Sequence, residues 1–229
     1  MGVSIAYAVW TISFNFMKCL PHIALAAAIA VPSAAAAHPH VFVQAQVTVL
    51  YEADRPVGVQ VDWVYDEFFS LLLTSDLGID LDGDMVLTPD EEVVLAEAVT
   101  TWPQGFEGDL EVRQNGEVIP LGAKVGHTMS FADGIVRETH VRVLPPMEDM
   151  NFELQVFDPY YFIAYDLIQP IRFSGRDDCA SEVIPADMDA ARAMVADLLG
   201  GLAPEDVPAD GEFPPVGSEF ADIAVISCG

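Results

Sequence analysis

From His40 the chain alternates. Val41, Val43, Ala45, Val47 and Val49 fall on one side, and Phe42, Gln44, Gln46 and Thr48 on the other. A period of two is what a strand with one buried face requires. EADRPVG then turns and VGVQVDWVY alternates again, so residues 40–65 predict a β-hairpin. The period changes after Tyr65. DEFFSLLLTSDLGI has helical spacing, and TPDEEVVLAEAVTTW opens with a Thr-Pro-Asp-Glu start signal and continues as a second helix. Strands resume beyond Pro103. LEVRQNGEVIPL predicts a hairpin around Asn115-Gly116, and KVGHTMSFADGIVRETHVRVL another around Asp133-Gly134, both strong turn dipeptides. MNFELQVFDPYYFIAYDLI supplies one or two more strands, residues 186–199 a short helix, 203–217 a proline-rich loop, and FADIAVIS a closing strand. The predicted class is α+β: a mainly antiparallel β-sheet, a helix–loop–helix inserted at 66–102, and a short C-terminal helix.

Composition adds a location. Lys18 precedes a short apolar run, CLPHIALAAAIAV, and Pro32-Ser33 precedes small residues that satisfy an A-x-A cleavage rule. These are the parts of a secretory leader, so residues 1–37 are expected to be a cleavable signal peptide. A membrane anchor is the alternative, weakened by the shortness of the run after Lys18. The mature chain is then expected to be periplasmic and not membrane-embedded. The formal net charge is −27, with 36 acidic and 9 basic side chains. Residues 1–37 hold one basic residue and no Asp or Glu, so their removal leaves 36 against 8, a net of −28. Such repulsion argues against nucleic acid and anionic lipid and favours cations or basic surfaces as partners. Cys19 leaves with the leader. Cys179 and Cys228 remain, an even pair in an oxidising compartment, and a disulfide is the default expectation, with two unpaired thiols the alternative. It would close a loop of about 50 residues, worth about 3–4 kcal/mol on the chain-entropy model. The expected organisation is a domain at 38–178 and a C-terminal segment at 179–229 tied to it.

The inserted loop carries the sharpest motif. Asp80, Asp82 and Asp84 stand at positions 1, 3 and 5, Thr88 at 9 and Glu91 at 12 of an EF-hand-like calcium loop. A hard cation wants six to eight oxygens, which these carboxylates and the Val86 carbonyl would supply. Position 6 normally holds Gly because its backbone needs φ > 0. Here it is Met85, a departure that should weaken binding or distort the loop. The plainer alternative is an acidic, solvated turn.

The histidines suggest a second metal. Cleavage after Ala37 would leave His38 carrying the α-amine, and amine plus imidazole chelate a metal as a brace. Pro39 has no amide N–H, which closes the binding mode that uses deprotonated amides. His40 stands at the edge of the first strand. If Asp133-Gly134 is a two-residue turn, Ala132 lies opposite Ile135. The same register sets His127 directly opposite His140, with Cβ atoms about 5 Å apart. His38, His40, His127 and His140 are therefore candidate ligands for zinc, copper or nickel. Structural histidines paired by chance are the competing explanation. Tyr160, Tyr161 and Tyr165 of FDPYYFIAY could form a ligand platform, or simply be core aromatics beyond a Pro bend. No nucleophile motif, phosphate loop or positioned carboxylate pair supports catalysis, so an enzyme is not expected.

HPHVFV, the DLDGD loop after DEFFS, VFDPYYFIAY and FADIAVISC together resemble an uncharacterised family of bacterial periplasmic proteins, a domain of unknown function. It is often described as the periplasmic component of an ABC-type transport system. The resemblance covers nearly all of residues 38–229. It implies a periplasmic location and a metal permease or ABC-type transporter component as partner, in some members beside nickel/cobalt-type permeases. Members often carry Gly where this chain has Met85. Two functions from different classes follow. One is a metal-binding accessory for transition-metal transport. The other is a calcium-stabilised binding or interaction module with incidental histidines. An oxidative copper enzyme built on His38 is a distant third.

Overall fold

A computed structural model describes residues 39–147, 149–201 and 214–229. The alternation from Val41 becomes β1 (Val41–Glu52), whose odd-numbered side chains through Tyr51 are all buried. β1 turns at Ala53-Asp54, both with positive φ, into β2 (Arg55–Tyr65). Asn115-Gly116 and Asp133-Gly134 also have positive φ at both central residues, the type I′ geometry that suits a twisted hairpin. They join β3 (Leu110–Gln114) to β4 (Glu117–Val118), and β5 (Lys124–Ala132) to β6 (Ile135–Val143). The remaining strands are β7 (Phe152–Val156), β8 (Ile163–Ser174), β9 (Cys179–Ile184) and β10 (Ile223–Cys228).

These strands form two five-stranded sheets. One has the order β5-β6-β2-β1-β8 and the other β4-β3-β7-β10-β9. Every pairing is antiparallel except β1 with β8. The alternating sequence fixes which face each strand buries but not which sheet it joins, and the single expected sheet is in fact two. Val43, Val47 and Val61 of the first sheet share one apolar cluster with Val112, Leu154 and Ile226 of the second. Two half-buried sheets thus complete each other's core. From the expected C-terminal segment, β9 and β10 extend the second sheet. Cys179 and Cys228 are register partners there and form a disulfide.

Helix α1 (Glu67–Leu77) starts at Asp66, whose Oδ1 accepts from Phe69 N while Oδ2 accepts from Phe42 N. One carboxylate so caps the helix and ties it to β1. Helix α2 (Pro89–Thr100) starts with a full capping box between Thr88 and Glu91. The pair covers the β5–β6 end of the first sheet, where Ile79, Leu87 and Leu95 bury Val136. A third helix, α3 (Met188–Leu198), buries Val195 with Val216. The fold is α+β, with the expected helical insertion and C-terminal helix. Among the described residues no helix is long and apolar enough to cross a membrane. The expected leader, residues 1–37, and His38 lie outside the described residues.

Candidate functional site

β6 carries an unusual inner face. In IVRETHVRV the inward positions are Val136, Glu138, His140 and Arg142, three of them polar, at 2 %, 0 % and 5 % exposure for the polar three. β5 meets it through a bulge. The hairpin register runs as expected from Ala132↔Ile135 to Thr128↔Thr139, then shifts so that Val125 pairs Val141. The shift falls at Gly126, with φ 61°, the backbone conformation a bulge of this kind needs. His127 therefore does not sit squarely opposite His140. The bulge turns both Lys124 and His127 inward, and the two imidazole centroids lie 5.8 Å apart.

Glu138 stands at the centre of this cluster. Its Oε1 is 2.5 Å from His127 Nε2 and 3.8 Å from His140 Nδ1, and its Oε2 accepts from the Tyr65 hydroxyl at 2.9 Å. Aromatic rings enclose the group. Trp102 approaches His127 at 5.3 Å and His140 at 4.8 Å, and Trp63 lies 4.7 Å from His140. Lys124 Nζ sits 4.0 Å over the Trp102 ring and donates to the Thr100 carbonyl. Arg142 turns away to Glu107, 2.5 Å between Nη2 and Oε2.

The electrostatics follow from dryness. Burial pushes both histidines well below the usual imidazole range, helped by Lys124 at His127 and by His127, Arg142 and Lys124 at His140. Burial pushes Glu138 up, against the hydrogen bond from Tyr65. The 2.5 Å contact is thus best described as a hydrogen bond between neutral groups rather than an ion pair. His140 remains exceptional. It is wholly buried, and neither ring nitrogen has a hydrogen-bond partner among the described residues, although buried polar groups nearly always find one.

Other expected ligands lie elsewhere. His40 is exposed at the start of β1, its ring 4.7 Å from that of Phe162. Val47 of β1 pairs Val61, which pairs His140. His40 is seven residues up the strand from that level, roughly 23 Å at about 3.3 Å per residue. In the helical insertion, carboxylate oxygens of Asp80, Asp82 and Asp84 lie within 4.8 Å of one another, the only such acidic or histidine trio among the described residues. Asp80 Oδ1 accepts from Met85 N, and Met85 adopts φ 62°. The loop therefore takes the left-handed turn at position 6 without its glycine. Glu91 is otherwise engaged: Oε1 accepts from Asp80 N and Oε2 from Thr88 N and Oγ1. Those bonds, Thr88 first, hold its carboxyl below the usual range. Val86 is exposed, and its N–H donates to Asp84 Oδ1.

Two of the three tyrosines share a cavity. Tyr165, which donates to Asp109 at 2.7 Å, and Tyr161, stacked on Phe220, both line one of about 990 Å³, while Tyr160 lines another of about 620 Å³ with Leu110 and Phe157. Asp158 organises the turn between them, accepting from the amides of Tyr160, Phe162 and Ile163. Glu138, Trp63 and Trp102 escaped sequence reasoning. The signal for Glu138 was present, since it shares the period-two face of Val136 and His140. The tryptophans carried none, because their convergence depends on tertiary packing. The family model described as Protein of unknown function (DUF1007) matches residues 23–228. No curated protein matches the chain.

Proposed function

Because this chain belongs to a family of proteins of unknown function, DUF1007, its site has to speak for itself, and we propose a periplasmic metal-binding accessory of a transition-metal transport system. Its ligands are His127, Glu138 and His140, and the cargo is zinc, copper or nickel. The observation that carries this reading is His140, fully buried beside a carboxyl and a second imidazole, with neither nitrogen partnered among the described residues. Neutral imidazole is the ligand form, and desolvation keeps both rings neutral. Two imidazoles and one carboxylate leave positions open for exchange, as delivery requires. The proton shared by His127 and Glu138 occupies the place of the cation, so binding releases a proton and weakens as pH falls. The export signal expected at residues 1–37 and the disulfide between Cys179 and Cys228 support a periplasmic location. A permease or ABC-type transporter component is the partner this reading needs.

The test is metal analysis by inductively coupled plasma mass spectrometry on protein exported by its own leader. The expected result is one zinc, copper or nickel per chain, lost in Glu138→Gln and His127→Gln and retained in Asp80→Asn. Intact mass on the same sample shows whether the chain starts at His38. A wild type that takes up no transition metal when supplied with it, while folded by near-ultraviolet circular dichroism, would end the proposal.

A second reading rests on the Asp80, Asp82 and Asp84 cluster. It makes the protein a calcium-stabilised interaction module. Calcium would have to draw Glu91 from its capping box. Here added calcium raises the melting temperature of the wild type and not of Asp80→Asn; equal melting curves would dispose of it.

A further inference from the structure

Helix α1 is built with its burial inverted. Its most buried positions are Ser70 and Thr74, at 0 % and 3 % exposure. Ser70 Oγ accepts from Val136 N, and Thr74 Oγ1 donates to the Ser70 carbonyl. Small hydroxyl residues let the helix approach β6 closely, and Phe69, Leu73 and Leu77 pack beside them. Phe68, Leu71 and Leu72 are left outside at 71 %, 66 % and 46 % exposure. At i, i+3 and i+4 they form one continuous stripe. A single exposed leucine is ordinary, but a contiguous apolar stripe on a helix marks a contact surface.

The charge around the stripe selects its occupant. Residues 66–97 hold six Asp and four Glu, and no Lys, Arg or His occurs between Arg55 and Arg113. A second copy would bring the same acidic field against itself, and anionic lipid would be repelled likewise. We propose that α1 is the docking surface for a basic amphipathic helix of a partner protein. The partner's apolar side chains cover Phe68, Leu71 and Leu72 while its Lys and Arg meet the surrounding carboxylates. This stands independently of the histidine site.

The test uses a synthetic amphipathic helix of about 18 residues, Leu on one face and Lys on the other, with a scrambled peptide of equal charge as control. Binding to the full exported chain is followed by fluorescence anisotropy. The expected result is binding that the scrambled peptide weakens about tenfold or more, that Phe68→Ser/Leu71→Ser weakens as much, and that falls with salt. Both changed side chains are exposed, and circular dichroism checks that the variant stays folded. Equal affinity for both peptides, or for wild type and variant, would overturn the proposal by reducing the contact to bulk charge. So would flotation of the wild type, but not the variant, with phosphatidylglycerol vesicles. A wild-type dimer in analytical ultracentrifugation that the variant abolishes would overturn it in favour of a second copy.

Discussion

Asp109 combines a left-handed backbone, φ 47°, with a half-buried carboxyl beside the Tyr165 hydroxyl. Burial raises its pKa to about 7, opposed by the bond from Tyr165 and reinforced by Asp158. The folded pKa lies above the unfolded one, so the native state is penalised progressively as pH rises from the ordinary carboxylate range to about 7. Asparagine tolerates the same φ and stays neutral. Asp109→Asn should therefore gain stability relative to wild type as pH rises through that window and then level off, in urea midpoints measured at intervals; a difference independent of pH would contradict the assignment. Met85 sets a comparable residue-scale problem. Its φ of 62° costs about 1 kcal/mol in a non-glycine residue, while its side chain rests over Gly134. If the acidic loop binds calcium, Met85→Gly should tighten it in a calorimetric titration by relieving that strain.

Among elements, hairpins were the most legible, because Asn-Gly and Asp-Gly demand type I′ turns and the flanking alternation names the buried face. The capped helices were legible for a similar local reason. What the sequence concealed was non-local: the division into two sheets, the parallel β1–β8 pair, β9, and the bulge at Gly126. Nothing in KVGHTM by itself says that one residue is extra. That bulge decides where His127 points, so the histidine pair was legible and its true geometry was not. Gly126→Ala places a Cβ in ordinary contact with Val141 Cγ2, at 3.9 Å, but at φ 61°, and should cost about 1 kcal/mol. The paired expectation is loss of the His127–Glu138 contact, visible as a shift of the His127 ring resonances in an NMR spectrum. Gly217 is the stiffer constraint. It begins the short 3₁₀ turn before β10, and a Cβ there would meet the Asp158 carbonyl oxygen at 1.8 Å. Gly217→Ala should destabilise by about 3 kcal/mol, measured by chemical denaturation.

At the scale of the whole molecule, the Cys179–Cys228 bond fastens the outermost strand of the second sheet to its neighbour across 49 residues of chain. Reduction should cost about 3–4 kcal/mol and lower the melting temperature by roughly 10 °C, read by calorimetry with and without reductant. The position of β1 has a consequence for how the chain is assembled. It is the first made of the described strands, yet it lies inside its sheet, with β2 on one side and β8 on the other. The β1–β2 hairpin needs only local contacts and can close within microseconds. The opposite edge of β1 waits for Ile163–Ser174, more than a hundred residues later. Until then it offers a bare row of amides and carbonyls to any passing strand. A chain paused before β8 is made would therefore present, in a hairpin that can already close, an edge whose partner has yet to be made.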